Sequence, residues 1–207
     1  MSMSISYEGT GRVQQKRRTR ATLIEAALEL LAGGHPPTVE QAAEHAGISR
    51  ATAYRYFPNQ LTLLVAASPE LEADSLLGPE PPSDPADRLD AVVGAILRLT
   101  LEAEPQLRGM LRLSLEEGQP DAGDLRLRKG RRIIWVEDAL APLRGRLPAA
   151  ELSRLVHAIA AAVGIDSLVW MTDVAHLSRE DAAEIMRWSA RALLRSALAG
   201  DRDGGGA

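Results

Sequence analysis

The sequence contains no cysteine, few aromatic residues and no long apolar run, and each absence excludes a class of protein. Without cysteine among its 207 residues the chain forms neither disulfides nor thiolate sites, which favours a cytoplasmic location. No stretch approaches the roughly 18 uncharged apolar residues of a membrane helix, and the N-terminus lacks the apolar segment of a signal peptide. Aromatic residues make up 3% of the chain, so the core must be built from Leu, Ala, Val and Ile, which favours helices.

Charge is distributed unevenly along the chain. Residues 1–60 contain seven basic and five acidic residues, whereas residues 61–207 contain seventeen basic and twenty-three acidic ones. Five cations and no acid occur between Arg12 and Arg20. A basic N-terminal part followed by an acidic remainder suggests a polyanionic partner for the N-terminal part. The alternative interpretation of the basic run is a solvated, partly disordered tail.

The first 67 residues show short helices separated by turns. Apolar residues at helical spacing from Leu23 to Leu31 predict a first helix, which Gly33-Gly34 closes. Thr38 and Gln41 form a capping box for a second helix, and Gly47 suits the left-handed position after its end.

A third helix is predicted to begin after Ser49, a strong N-cap, and to stop at Pro58. A fourth, from Gln60 to about Ala67, follows the cap residue Asn59. One side of the third helix carries the apolar contacts, and the other side carries Arg50, Ala51, Tyr54 and Arg55.

Two short helices joined by a glycine-bearing turn form a helix-turn-helix, whose second helix enters the major groove of DNA. Small residues at its start allow close approach: Ser49, Ala51 and Thr52. Arg50 and Arg55 can reach guanine edges or phosphates. Tyr54 and Tyr56 can donate hydroxyls to phosphate oxygens, which fixes register rather than sequence.

The segment TVEQAAEHAGISRATAYRYFPNQLTLL, Thr38 to Leu64, resembles the DNA-binding domain of the TetR-type transcriptional regulators. The shared features are the Thr-capped second helix, the Ala-Gly-Ile-Ser turn, the Tyr-Arg-Tyr-Phe exit and the Asn-capped fourth helix. Gln60 departs from the family pattern, because members usually carry a Lys there that touches a phosphate. With the first helix, the resemblance covers about the first 65 residues. The predicted DNA-binding residues are Lys16, Arg17, Arg18, Thr38, Ser49, Arg50, Ala51, Thr52, Tyr54, Arg55, Tyr56 and Gln60.

The remainder of the chain is predicted to be a larger helical domain. Ser68-Pro69-Glu70 suggests a kink or restart, and the Pro-rich stretch from Gly78 to Asp87 suggests a joint. Helical periodicity then covers residues 86–103, 105–117, 124–145, 149–174 and 179–199. The predicted division is therefore a DNA-binding domain at 1–67, a joint at 68–86, a ligand-binding and dimerisation domain at 87–200, and a disordered tail at 201–207. The fold class is all-α.

The family resemblance implies a homodimer through the last two long helices, 149–174 and 179–199. In the first of these, Asp166, Trp170 and Asp173 share one stripe and could face a cavity that binds a cationic or donor-rich ligand. The alternative is that the two carboxylates pair with arginines such as Arg131 or Arg132, or project into water. Met110 and Trp135 suit a pocket wall, although such residues are more often plain core.

The sequence shows no pattern of an enzyme. No histidine pair has metal-ligand spacing, and no nucleophile elbow, P-loop or dinucleotide motif is present, so no metal and no cofactor are expected. The sequence predicts a dimeric regulator, most simply a repressor that leaves its operator when a small molecule binds. A ligand would act by shifting the joint and so the spacing of the two DNA-binding domains. The alternative is a helical small-molecule carrier whose helix-turn-helix no longer binds DNA.

Overall fold

The computed structural model of the chain describes residues 6–34, 36–68, 73–115 and 130–204, and within them all regular structure is helical. The helices are α1 (Ser6–Ala32), α2 (Val39–His45), α3 (Arg50–Tyr56), α4 (Gln60–Ala66), α5 (Pro85–Glu102), α6 (Glu104–Leu115), α7 (Arg131–Ala139), α8 (Ala149–Ala162), α9 (Ile165–Val169) and α10 (Arg179–Gly204). A 3-10 turn, Ala141–Leu143, follows α7, and a π-helical turn, Trp170–Val174, continues α9. The prediction of an all-α fold is confirmed.

Helices α1 to α4 form a small unit, here called the head, around a core of mostly small side chains. That core consists of Leu23, Ala27, Val39, Ala42, Ala43, Ala53, Phe57, Leu63 and Ala67. The turn between α2 and α3 uses Gly47 at φ +64°, a left-handed conformation that glycine adopts without a Cβ clash. This turn sets α3 across the rest of the head.

Helix α1 extends much further towards the N-terminus than the apolar periodicity predicts. It begins at Ser6, so the basic run at residues 16–20 is helical and continuous with the part of α1 that packs in the head. The intervening Gln, Lys and Arg residues are good helix formers and no proline interrupts them. The basic residues therefore lie on an exposed N-terminal extension of α1.

Helices α5 to α10, here called the body, enclose a larger core. Its fully buried members include Val92, Val136, Ile159 and Leu168, one from each of α5, α7, α8 and α9. Helix α10 covers this core with a single stripe: Ala182, Met186, Ala190 and Leu194. It continues to Gly204, past residue 199 where the predicted helix ends.

The predicted single helix at 149–174 is broken. Helix α8 stops at Ala162 and α9 starts at Ile165, and Gly164 between them has φ +111°. A Cβ on Gly164 would lie within 3 Å of the Arg132 side chain, whose Nη1 donates to the carbonyl of Val163. An arginine from α7 therefore occupies the break and caps the end of α8.

The helix predicted at 124–145 is described only from residue 130 onward, and there it ends before residue 145. Helix α7 ends at Ala139, and the chain tightens into the 3-10 turn that contains Pro142, which has no amide hydrogen to donate to an α-helical hydrogen bond.

Among the described residues no single helix is long and apolar enough to cross a membrane. Helices α8 and α9 with the π turn satisfy that test only as a pair, and a bend of 45° separates them.

The joint between head and body is attached to α7. The carbonyl of Ala73 accepts hydrogen bonds from Trp135 Nε1 at 2.7 Å and from Arg131 Nη1 at 3.2 Å. Ser75 Oγ donates to the Asp138 carboxylate at 2.5 Å, and Arg88 of α5 donates to the carbonyl of Pro82 at 3.3 Å. The predicted restart at Ser68-Pro69-Glu70 lies, beyond Ser68, outside the described residues. The described part of the joint is thus fixed to the body.

A second contact joins head and body through α4 and α6. We call its buried residues the junction cluster: Leu61, Leu64, Met110 and Leu113. Beside the cluster, Gln106 Nε2 donates to the carbonyl of Leu64 at 2.9 Å. One turn along α6, Gly109 lies so close to Pro36 that a Cβ would be 2.7 Å from its ring. Helix α6 therefore packs directly on the head.

Candidate nucleic-acid interface and internal cavity

Local capping positions the helix-turn-helix as the sequence predicts. The Thr38 hydroxyl accepts from the Gln41 amide at 3.2 Å, and the Gln41 side chain accepts from the Thr38 amide at 2.8 Å. At α3, Ser49 Oγ accepts from the Thr52 amide and donates to the Thr52 hydroxyl at 2.9 Å. These bonds satisfy amides that a helix start leaves unpaired, so both helices begin at defined residues.

The two sides of α3 differ as the sequence predicts. Ala53 and Phe57 are buried in the head core, and Tyr56 packs beside them while remaining half-buried. The side chains on the opposite side are exposed: Arg50, Ala51, Tyr54 and Arg55. Helix α3 therefore presents two guanidinium groups and a phenol to its surroundings, with a small residue between them.

Glu40, on α2, is a residue of this surface that the sequence analysis missed. Its carboxylate lies 4.0 Å from Arg50 Nη1 and accepts a hydrogen bond from Tyr54. Partial desolvation, together with the charge of Glu40, raises the pKa of Tyr54. The phenol is therefore neutral at physiological pH and keeps its proton for donation. The only sequence signal was an acidic residue in the first turn of α2, where acids are common for their effect on the helix dipole.

The basic run of α1 is tied to the rest of the head by one of its arginines. Arg20 lies over the ring of Phe57, with its guanidinium carbon 5.4 Å from the ring centroid, which is the distance of a cation–π contact. Lys16, Arg17 and Arg18, on the N-terminal side of Arg20, are exposed. Arg20 is thus held beside the C-terminal end of α3.

The side chain of Gln60 forms hydrogen bonds within the head. Its amide nitrogen donates to the carbonyls of Pro36 and Pro37 at 3.0 and 3.1 Å. These bonds tie the start of α4 to the loop before α2. The side chain that takes the place of the family's usual lysine therefore holds the loop next to Thr38.

A cavity of about 470 Å³ is lined mainly by α5, α6, α7 and α8, with Leu61 of α4 and the first residues of α9 at its edges. Three of the five predicted ligand-binding residues line it: Met110, Trp135 and Asp166. Met110 and Trp135 are also buried, so each lies in the core and in the cavity wall at the same time. The remaining two, Trp170 and Asp173, lie outside the lining, in the π-helical turn at 170–174.

Both predicted carboxylates are paired with arginines. Asp166 Oδ1 is 2.7 Å from Arg132 Nη1, and Asp173 accepts two bonds from Arg108 at 2.6 and 2.8 Å. The Arg108 contact holds the pKa of Asp173 at about 2. Arginine pairing, the alternative interpretation, therefore holds for both carboxylates; Asp166 also lines the cavity, whereas the expectation that Asp173 faces it is wrong. Nearby, Glu104 is buried and binds both Arg108 and Arg179, which lowers its pKa.

Other polar residues of the cavity were missed as lining residues. They are Thr100, Ser114, Arg131, Arg132 and His157. The double arginine at the start of α7 was considered only as a source of partners for carboxylates. Nothing local in the sequence shows that α7 turns its first residues towards α6 and α8. Within the described residues, no group of three or more histidine and acidic side chains could hold a metal ion.

Comparisons with known proteins give a consistent result. The model of the tetR family of bacterial regulatory proteins matches residues 23–67, which span α1 to α4 of the head. A curated relative, the HTH-type transcriptional repressor KstR of Rhodococcus jostii (strain RHA1), is 34% identical over 98 residues. That match covers 45% of this chain and 45% of the relative, so it spans less than half of either protein.

The likeness of the whole fold extends beyond the head. A crystal structure of a TetR transcriptional regulator from Rhodococcus sp. RHA1 superposes with a TM-score of 0.58 at 25% identity. It covers 87% of this chain and 96% of that one. The family is one of transcription regulators rather than enzymes. The N-terminal helix-turn-helix region of this chain, residues 23–67, thus matches the tetR family of bacterial regulatory proteins, and its whole fold is similar to that of a TetR transcriptional regulator.

Proposed function

We propose that the chain is a dimeric DNA-binding transcription regulator, acting as a repressor that a small molecule releases from its operator. The observation that carries the proposal is the outward side of α3, where Arg50, Tyr54 and Arg55 are exposed next to the cations of α1. The name of the relative KstR, a transcriptional repressor, supports repression rather than activation.

The proposed DNA contacts divide by chemistry. Small side chains at the start of α3 allow the helix into the major groove: Ser49, Ala51 and Thr52. Arg50 and Arg55 have the reach for base edges. Phosphate contacts come from Tyr54, Tyr56 and the helix start at Thr38, and Gln60 acts by holding the loop beside Thr38.

The basic stretch of α1 supplies a nonspecific part of the binding. Lys16, Arg17 and Arg18 lie on the exposed N-terminal extension of the helix, where they can follow the phosphate backbone. Each cation that neutralises a phosphate contributes about 0.9 to the slope of log affinity against log salt.

A dimer through α10 explains an exposed apolar face of the body. Opposite its buried stripe, α10 exposes Trp188 by 65% and Ile185 by 39%. Trp170 and Val174 in the π turn are also largely exposed. Large exposed apolar side chains of this kind mark contact surfaces, and a helix-turn-helix protein needs a two-fold partner to bind two half-sites.

The dimer is tested by sedimentation of the variant Trp188→Glu. We expect it to be monomeric at concentrations where the unmodified chain is dimeric. Ile134→Glu is a matched control, because Ile134 is a similarly exposed apolar residue on α7, outside the proposed interface. A dimeric Trp188→Glu variant would remove α10 from the interface.

Helix α6 provides a route from the cavity to the head. Met110 lines the cavity and belongs to the junction cluster, while Gln106 and Gly109 touch the head directly. A ligand that displaces Met110 would move α6 against α4 and Pro36, and thereby change the spacing of the two heads in a dimer. A second route runs from Trp135, in the cavity wall, to Ala73 of the joint.

The function is tested by fluorescence anisotropy of a labelled random-sequence duplex at several salt concentrations. We expect affinity to fall steeply with salt, and the variant with Lys16, Arg17 and Arg18 changed to Gln to show a slope smaller by up to about 2.7. A chain that shows no salt-dependent binding would instead be a carrier, the role favoured by the cavity alone.

A further inference from the structure

The cavity in the body has a charge balance that indicates what kind of molecule it holds. Among the described residues, its charged lining residues are two arginines, Arg131 and Arg132, and one aspartate, Asp166. Asp166 is paired with Arg132 at 2.7 Å. The carboxylate is therefore already satisfied, and the lining carries one cation more than it carries anions.

That excess cation is Arg131, and it is buried. Its residue is 5% exposed, and its ion-pair partner Asp74 has a side chain that is 95% exposed. Asp74 is not part of the cavity lining, and the pair uses only Nη1 of Arg131, which also donates to Ala73. Water screens the exposed carboxylate far more than the buried guanidinium. The wall of the cavity thus retains a positive potential.

The other polar groups of the lining are mostly acceptors. Thr100 donates its hydroxyl proton to the carbonyl of Ile96, and Ser114 donates to that of Leu111, so both present lone pairs. His157 Nδ1 donates to the carbonyl of Ser153 at 2.7 Å, so that donor is already used. The guanidinium groups are consequently the main donors.

The rest of the lining is apolar, including Ile96, Leu107 and Trp135. The volume of about 470 Å³ is within the ordinary range for small-molecule sites. An occupant must therefore bury an apolar body and offer an acceptor or an anion to Arg131.

We propose that the cavity binds an amphipathic carboxylate: an apolar body with one carboxylate group that pairs with Arg131. A single negative charge matches the single excess cation, and the planar guanidinium fork matches a carboxylate. An amine would meet the positive wall while Asp166 remains bound to Arg132. This inference rests on the proposed ligand-binding role of the cavity and gives that ligand a chemical class.

The test is isothermal calorimetry of the full chain with three probes of equal chain length: decanoate, decanol and decylamine. We expect decanoate to bind at least about tenfold more tightly than decanol, the difference between a charge-assisted and a neutral hydrogen bond. Decylamine should bind most weakly. Decanol or decylamine binding as tightly as decanoate would overturn the proposal, as would an absence of binding by decanoate.

Variants at both members of the Arg131–Asp74 pair give opposite expected results. Arg131→Met keeps the apolar stem and should reduce decanoate affinity to that of decanol. Asp74→Asn removes a solvent-facing competitor, so decanoate affinity should rise, and this variant remains informative if Arg131→Met fails to fold. Arg98→Met, at an exposed arginine of α5 outside the lining, should change neither affinity. A fall in decanoate affinity for Asp74→Asn would contradict the assigned role of Arg131.

Failure of this inference is distinguishable from failure of the proposed function. Decanoate that binds without changing DNA affinity leaves the carboxylate site standing and removes ligand-released regulation. DNA binding by a chain that takes up none of the three probes removes the carboxylate site and leaves the DNA-binding role standing.

Discussion

The head and the body place their functional groups in opposite ways. The head has a small core rich in alanine and carries its candidate site on the outside, on α3 and on the extension of α1. The body has a large core and carries its candidate site in a cavity that residues of several helices line together. A surface site depends on which side of one helix faces outward, whereas a cavity depends on how several helices meet.

The contact between the two regions gives the largest expected effect. Leu63 and Leu64 are both fully buried on α4, but Leu63 belongs to the head core and Leu64 to the junction cluster. We expect Leu63→Ala and Leu64→Ala each to cost about 2–5 kcal/mol of stability. All three tryptophans lie in the body, so denaturation followed by tryptophan fluorescence should be shifted by Leu64→Ala and little by Leu63→Ala. Equal shifts in that signal would mean that head and body unfold as one unit.

The head alone is tested by Arg55→Ala. This change should weaken binding to the operator by about 1–3 kcal/mol if Arg55 contacts a base edge, because the bonds from a guanidinium to that base are lost. Anisotropy on operator and random duplexes distinguishes the cases, since a phosphate contact weakens both equally. Arg98→Ala on the body is the matched control. Unchanged affinity for both duplexes would exclude Arg55 from the interface.

The close contact of α6 with the head predicts the effect of Gly109→Ala. The added Cβ would lie 2.7 Å from Pro36, so α6 or the loop before α2 must shift. We expect DNA affinity to fall without any ligand, and the further effect of a ligand to be smaller than the 1–3 kcal/mol or so typical of coupled sites. Gly94→Ala on α5, where a Cβ meets nothing within 4 Å, is the control. An undiminished ligand effect in Gly109→Ala would assign the coupling to the joint.

The smallest expected effect concerns pH and the ion pairs of Arg108. Its bonds hold the pKa of Asp173 at about 2, below the ordinary 3.8. A carboxylate with a depressed pKa in the folded state stabilises the fold above its unfolded pKa, and this contribution is lost as pH falls from about 4 to about 2. We therefore expect urea unfolding to show that the stability difference between the unmodified chain and Arg108→Gln shrinks over that range. A constant difference would mean that the pairs do not contribute.

The same contrast between regions decides what could be predicted from the sequence. The capping box of Thr38 and Gln41, the cap at Ser49 and the outward side of α3 depend on residues a few positions apart, so local pattern was sufficient. The break at Gly164 depends on Arg132, which reaches Val163 across 31 residues of sequence. Local periodicity cannot show that contact, and the prediction of one continuous helix at 149–174 was wrong for that reason.

The basic character of the N-terminal region was predicted from the sequence, but the helical conformation of that region was not. The basic run of α1 was expected as an arm or a tail, and its helical continuation followed from residues that favour helix without adding to the apolar pattern. The polar lining of the cavity could not be predicted, because Arg131 and His157 meet only after α7 and α8 have packed together.

The central claim, that the head binds a specific DNA sequence as part of a dimer, is tested most directly by selection of genomic DNA. Sheared fragments from the source genome are retained by the purified chain at physiological salt, eluted and sequenced. The account predicts enrichment of a two-fold symmetric site whose half-sites are separated by about 34–36 Å, or a multiple of it. Retained fragments with the same sequence composition as the input would contradict it.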